Sequence, residues 1–266
     1  MLIDPMATLP LFGDIGAVES RLLSANSRVR AYSKGAYIFR QGDHIQNFYV
    51  VCKGTAQVYR GTPDGHEITS DILIAGDCVN AEEIVSADTA HAANARIVEE
   101  STILELPIHW MRDHMGDFAR LAPRLLVSLA DRLRGARKDA EHLSTLSAPQ
   151  MIACYLQSLC VPYGFDPRSF DLPYSKTLIA SRLHMELATF SRSLKKLKPF
   201  GIIVTGNHVA ITNLKKAEHF VCDRCTITET CRTRALLDQP PIVGPRVSGA
   251  NGERHIGLRV PQAAGV

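Results

Sequence analysis

Long hydrophobic runs are missing from this 266-residue sequence. No apolar stretch approaches the roughly 18–20 residues that a bilayer-crossing helix needs, so no membrane partner is expected. Met1–Pro10 lacks the basic stretch and apolar core of a signal peptide. Seven cysteines make an odd count, which does not suit an exported fold stapled by disulfides. Charged residues at 21%, with 14 prolines and 18 glycines, exclude wholesale disorder or a fibrous repeat. No internal repeat is visible. Ser, His and Asp are scattered, and no nucleophile motif gathers them, so an enzyme is not expected. What remains is a cytoplasmic chain, long enough for one large domain or two small ones.

The net charge of +3 conceals a strong asymmetry. Residues 1–118 sum to −7, residues 119–146 to +3 and residues 147–217 to +6. A basic block joined to an acidic one suits a polyanion-binding module attached to a module that binds something else.

The hydrophobic pattern divides the chain in the same way. From Arg28 to Leu106, short apolar stretches are cut by Gly35, Gly42, Gly54, Gly61, Gly65 and Gly76. Ala36–Arg40, Phe48–Cys52, Ala56–Arg60 and Glu67–Ile74 read as strands, and Thr62-Pro63-Asp64-Gly65 as a turn. Arg96–Leu106 adds a strand pair before Pro107. Evenly spaced short strands predict a sandwich or jelly-roll barrel over residues 1–118.

The period then becomes helical. Leu121, Leu125, Leu129 and Leu133 form an apolar stripe, and the spacing predicts a helix of about 25 residues within 119–146. Its stripe has either its own barrel or a second copy to bury against. The second copy is favoured, since a connector between modules has little else to cover it. Residues 147–217 read as a helix (Met151–Cys160), a short strand at Phe170–Pro173, and a helix Lys176–Leu183 capped by Ser175. A turn, a helix Leu187–Leu197 and a hairpin Gly201–Ile211 follow. Helix, turn, helix and hairpin is the winged helix-turn-helix order. A cysteine segment spans 218–238, and the Pro- and Gly-rich residues 239–266 are expected to be disordered.

These residues carry a resemblance. Lys34-Gly35-Ala36-Tyr37-Ile38-Phe39-Arg40-Gln41-Gly42-Asp43, then Phe48–Gly54, Asp64-Gly65, Gly76-Asp77 and Leu106-Pro107, follow the barrel motifs of the CRP/FNR superfamily of bacterial transcription regulators in order. Ile179-Ala180 and Thr189-Phe190-Ser191-Arg192-Ser193-Leu194 are similar to its recognition-helix signature. The resemblance covers residues 10–217. It implies an α+β chain: an N-terminal jelly-roll, cyclic-nucleotide-binding-like β-barrel, a long dimerisation helix and a C-terminal winged helix-turn-helix. It also implies a homodimer, double-stranded DNA carrying an inverted repeat, and RNA polymerase as a partner.

Leu187–Leu197 sets Phe190, Leu194 and Leu197 on one face and leaves Thr189, Ser191, Arg192 and Lys196 on others. Arg suits the paired acceptors of guanine in the major groove, and hydroxyls serve bases or phosphates. By resemblance, Ser191 and Arg192 match the base-reading positions. Arg182, Lys195 and Lys196 are expected to neutralise phosphates, and Ser175 and Lys176 complete the expected DNA-binding set. The family usually places Glu just before the Thr; here the residue is Ala188, with Glu186 two positions earlier, so an altered preference at one base of each half-site is expected. His184 stands where the family's turn often has Gly.

Three sensing chemistries are open. For a cyclic nucleotide, the family's phosphate-binding Arg-Ser pair is replaced by His91-Ala92-Ala93, which argues against it. For a metal, Cys222-x2-Cys225-x5-Cys231 has the spacing of iron–sulfur cysteines in FNR-like regulators. Three thiolates can hold three irons of a [4Fe–4S] cluster, with His219, or a carboxylate or Cys from elsewhere including Asp131 or Asp139, as candidate fourth ligand; zinc would accept His219 with the three cysteines, and free thiols are the remaining alternative. Haem is the third. Such a regulator responds to oxygen, nitric oxide or redox state. A remote alternative, an iron–sulfur DNA repair enzyme, needs a helix-hairpin-helix turn with catalytic Asp and Lys, and no such arrangement is found.

Overall fold

The computed structural model describes residues 9–13, 15–118, 120–223, 225 and 231; the segment 239–266, expected to be disordered, lies outside these residues. A first helix, α1 (Ala17–Asn26), precedes seven strands: β1 (Arg28–Tyr32), β2 (Tyr37–Phe39), β3 (Asn47–Lys53), β4 (Thr55–Gly61), β5 (Glu67–Ile74), β6 (Asn94–Ile97) and β7 (Ser101–Pro107). They form two antiparallel sheets, β1-β7-β3 and β2-β6-β4-β5. Alternate residues of β7 turn inward, so Ile103 joins Val51, Ala56 and Ile97 between the sheets. On the other side, Phe48, Leu104 and Leu106 form a second core. Gly54 makes the β3–β4 corner possible: its φ is +92°, and a Cβ there would lie 2.8 Å from the Glu100 carbonyl oxygen and from Ser101 Cα. The expected β-sandwich is therefore present, with β5 at its predicted bounds. The strand β1, which alternation did not reveal, pairs along β7.

After α2 (Ile108–His114) comes α3 (Leu121–Thr145), 25 residues long. Leu121 and Leu125 sink into the second barrel core, with Leu129 packed beside it. Farther along, the same helix leaves Leu126, Val127, Leu133 and Leu143 at least half exposed. Its first turns thus use the chain's own barrel, and its remaining apolar residues stay open.

The second module contains α4 (Ala148–Ser158), α5 (Cys160–Tyr163), β8 (Ser169–Asp171), α6 (Lys176–Arg182), α7 (Leu187–Lys195), β9 (Ile202–Thr205), β10 (His208–Ile211) and α8 (Leu214–Cys222). Its strands order as β8-β10-β9. Ile152, Leu156, Ile179, Phe190, Leu197, Ile202 and Val209 close one core. One element departs from expectation. α8 occupies residues assigned partly to the wing domain and partly to a cysteine loop, because Asn213 caps it by accepting from Lys216 N at 2.9 Å. Ala217 and Val221 then reach the module core. Cys222 therefore ends a helix.

The two modules touch. Ser181 of α6 donates to the Glu67 carbonyl at 2.7 Å, accepts from Thr69 N at 3.2 Å, and lies 2.7 Å from Thr69 Oγ1. Nearby, Arg182 pairs with Asp139 of α3 at 2.6 Å.

Candidate functional site

The turn between α6 and α7 decides where α7 points. Met185 N donates to the Ala180 carbonyl at 3.0 Å and His184 N to Ser181 at 3.1 Å. His184 pays for this tight reversal with a left-handed φ of 54°, found in no other non-glycine residue among those described. Its ring is held below the usual histidine range, first by burial and then by the neighbouring Arg182. Phe190 and Leu197 are fully buried and pin α7 and the turn after it to the core.

That anchoring leaves the other faces of α7 outward. Ser191, Arg192, Lys195 and Lys196 are exposed, Lys196 standing at the helix's C-terminal cap. Thr189 is half-buried, and Arg192 Nη2 donates to its Oγ1 at 3.2 Å. Ala188 is exposed in the first turn, and Glu186 occupies the N-cap position without a side-chain capping bond. Ser175 caps α6, accepting from Leu178 N at 3.2 Å, with Lys176 beside it. Arg182 differs from the rest. Its side chain is 18% exposed and committed to Asp139, so its first task here is to join α6 to α3. The exposed group can offer a fork of guanidinium donors, a hydroxyl and two ammonium groups to a polyanion.

A partly open pocket of about 490 Å³ lies where the barrel meets α3, lined among others by Phe39, Arg60, Glu82, Glu83, Ala92 and Arg132. Ala92 and Ala93 both face it, and Arg60 Nε donates to the Ala92 carbonyl at 2.9 Å. His91 is spent internally, stacked on Phe39 and bonded to Glu83 at 2.8 Å. Asp71, Glu82 and Glu83 share this wall with Arg60 and Arg132, and Arg132 pairs with Glu82 at 2.8 Å.

The thiol region gathers at the junction of α3, α4 and α8. Cys225 N donates to the Cys222 carbonyl at 3.1 Å, and Cys225 Sγ lies 3.6 Å from Nε2 of His142 on α3. Burial, and after it the charge of Glu218, pushes the Cys222 pKa up to about 12. Of the expected fourth ligands, His219 is exposed and bonded to the Lys215 carbonyl at 2.8 Å, Asp139 pairs with Arg182, and Asp131 pairs with Arg134. Among the described residues, no group of three or more His, Cys, Asp or Glu side chains could hold a metal ion as it stands. Sequence reasoning did not single out His142, which lies in the long helical pattern far from the cysteine motif and meets Cys225 only in the fold. The signal for α8 was present in Asn213, followed by Leu214, Ala217 and Val221 at helical spacing.

Comparison with known proteins agrees with both modules. Residues 29–115 match the model of the cyclic nucleotide-binding domain, and residues 150–219 that of the Crp-like helix-turn-helix domain. The fumarate and nitrate reduction regulatory protein of Escherichia coli (strain K12) is 27% identical over 190 residues, covering 70% of this chain and 75% of that protein. The fold is similar to FixK2 from Bradyrhizobium japonicum (TM-score 0.64, 19% identity, 73% of this chain and 97% of that one). It is also similar to a CooA mutant from Carboxydothermus hydrogenoformans (TM-score 0.64, 22% identity, 78% and 96%). No helix among the described residues is long and apolar enough to cross a membrane. The two matched modules in this order, and relatives that are regulators and not enzymes, make the chain a DNA-binding transcription regulator of the CRP/FNR family.

Proposed function

We propose that two copies of the chain pair along α3 and set one α7 each into successive major grooves of an inverted repeat, in the cytoplasm and in concert with RNA polymerase. The observation that carries this reading is α7 itself, which buries Phe190 and presents Ser191, Arg192 and Lys195 outward. Arg192 and Ser191 read base edges, with Thr189 steadying the arginine. Lys195, Lys196, Lys176 and the α6 cap at Ser175 hold phosphates. Arg182 reaches a phosphate only when it leaves Asp139. The open apolar residues Leu126, Val127, Leu133 and Leu143 supply the pairing surface.

Cys222, Cys225 and Cys231 hold the signal-sensing metal in this reading. Their soft thiolates fit a [4Fe–4S] cluster or zinc by donor chemistry, and ligation would have to draw the three side chains together, since no such group is preformed among the described residues. A bound cluster would supply iron–thiolate bonds sensitive to oxygen or nitric oxide. The chain's own part is to give up thiol protons and to fix the segment after α8 against the DNA-binding module.

Selection of bound duplexes from a random pool tests the DNA reading: a two-fold symmetric consensus is expected, and a pool without symmetry contradicts it. Absorption spectra of anaerobically purified protein, with iron, sulfide and zinc analysis, test the metal. Visible absorption that bleaches in air indicates a cluster, and colourless protein containing zinc indicates the other metal.

A further inference from the structure

We infer that Ser181 is the positioning residue that holds the recognition helix α7 at a fixed angle to the barrel, and so sets the half-site spacing that the paired protein accepts. This rests on the reading that two copies bind an inverted repeat. β5 is the last strand of its sheet, and an edge strand leaves every second N–H and carbonyl unpaired by its neighbour. Ser181 covers two such groups, accepting from Thr69 N at 3.2 Å and donating to the Glu67 carbonyl at 2.7 Å. Its one proton is thereby used, so Thr69 Oγ1, 2.7 Å away, donates to it. Thr69 Oγ1 in turn accepts from Gln57 Nε2 at 2.8 Å, and Gln57 Oε1 accepts from Arg96 Nη2 at 2.9 Å. The Ser181 hydroxyl is thus saturated, with one bond donated and two accepted.

This seam lies on a face that the sheet would otherwise leave open. Ala56, Val58 and Leu73 point between the sheets, so their alternates Gln57 and Ile72 point outward. Gln57 is nonetheless 3% exposed and Thr69 0%, and Ile72 and Val98 of the barrel pack against the core of the DNA-binding module. Polar side chains are buried there because the second module lies over them. Ser181 also opens the turn that aims α7: its carbonyl accepts from His184 N at 3.1 Å, one residue before Met185 N donates to the Ala180 carbonyl. The same residue therefore grips the barrel with its side chain and steers α7 with its backbone. Arg182 beside it ties α6 to α3 through Asp139, so Ser181 supplies a second point of attachment. Two points fix an angle where one leaves a hinge. Ser191, Arg192 and Lys195 remain exposed, so docking leaves the base-facing side of α7 open. Half-sites a helical turn apart demand a fixed separation of the two recognition helices, which the docked module provides.

The test uses full-length protein and duplexes carrying the selected inverted repeat, either at its own spacing or with one base pair inserted at the centre. The insertion shifts one half-site by about 3.4 Å and turns it by about 35°. Wild-type protein should bind the longer site at least about tenfold more weakly, because the gain from engaging both half-sites depends on geometry. Ser181→Ala and Thr69→Val should narrow that gap to less than about threefold, whereas Thr69→Ser, which keeps the hydroxyl, should match wild type. Ala is the best helix former, so Ser181→Ala does not weaken α6 itself. Hydrogen exchange reads the seam without DNA. The Thr69 amide should be protected in wild-type protein and exchange at least about tenfold faster in Ser181→Ala, while the Val51 amide, bonded to the Asp77 carbonyl at 2.9 Å, should not change. A spacing preference retained in Ser181→Ala overturns the assignment. An unprotected Thr69 amide in wild-type protein does the same, and that measurement decides even where a variant fails to fold. Equal effects of Thr69→Val and Thr69→Ser would reduce the contact to packing and overturn it as well. If wild-type protein selects no symmetric site, the paired reading falls and takes the positioning role with it.

Discussion

Replacing Asp139 with Asn tests whether the DNA-binding module is held to the long helix by charge. The perturbation removes the carboxylate that faces Arg182 at 2.6 Å and keeps the shape and one acceptor oxygen. Exposed ion pairs contribute about 0–1 kcal/mol, and stripping one partner from a buried pair costs about 3–5 kcal/mol. The side chains here are 18% and 34% exposed, which places the pair between those limits. A loss of about 2 kcal/mol is expected, roughly thirtyfold in the folding equilibrium. Arg182→Gln should cost a similar amount. The double variant should cost little more than either single one, because the charge left stranded by each single change is then gone. Urea unfolding followed by far-ultraviolet circular dichroism measures all three. If the two single losses add to within about 0.5 kcal/mol in the double variant, the pair is not coupled and the latch between α3 and α6 is refuted.

Other perturbations reach other parts of the fold. Gly54→Ala should destabilise the barrel by about 3 kcal/mol or more, from left-handed strain plus a forced backbone overlap; a thermal melt showing a loss under about 1 kcal/mol would contradict the corner geometry. His184→Gly should stabilise the turn by up to about 1 kcal/mol, since strain of about 1–2 kcal/mol is relieved against the entropic cost of glycine. The same variant carries a pH signature. The lowered His184 pKa means that the unfolded state binds the proton more readily, so wild-type stability is lost as pH falls through about 6.5 toward the lowered value; the glycine variant should lose less over that window. Leu133→Glu, at an open position of α3, should convert a dimer to monomer in analytical ultracentrifugation, and a variant that sediments as wild type would move the pairing surface elsewhere. Lys196→Ala should reduce the salt slope of DNA binding by about 1.8, one phosphate contact in each of two subunits, whereas Arg182→Gln should leave the slope unchanged because its guanidinium is occupied by Asp139.

Where pattern and packing agree, the sequence was legible. The strand over Glu67–Ile74 stands as expected, because its turn chemistry at Thr62–Gly65 leaves little freedom of register. α7 was legible because Phe190, Leu194 and Leu197 repeat at helical spacing, and the base-facing surface follows from what they bury. The long helix was found for the same reason, but its sequence did not reveal that Leu121 and Leu125 serve the barrel while Leu133 and Leu143 stay open. Arg182 shows the limit most clearly. Sequence offers a basic residue at the end of a helix in a basic module, and phosphate is the natural partner. Asp139, 43 residues away in the chain, takes it instead. The cysteine segment shows the same limit: spacing exposes Cys222, Cys225 and Cys231, while the nearness of Cys225 to His142, 83 residues away, appears only in the fold. Local chemistry can be read locally, and partners across the chain require the fold.

The central claim is that α7 reads sequence through Arg192, and fluorescence anisotropy with two duplexes tests it most directly. One duplex carries the selected inverted repeat and the other the same bases scrambled, at one fixed salt concentration. Losing a bidentate guanine contact costs about 1–3 kcal/mol per half-site, so Arg192→Ala should weaken the inverted repeat at least roughly thirtyfold over two half-sites. The scrambled duplex should change by less than about tenfold, the loss of one exposed charge from each subunit. Equal weakening on both duplexes would contradict the account and reduce Arg192 to one more positive charge on a basic surface.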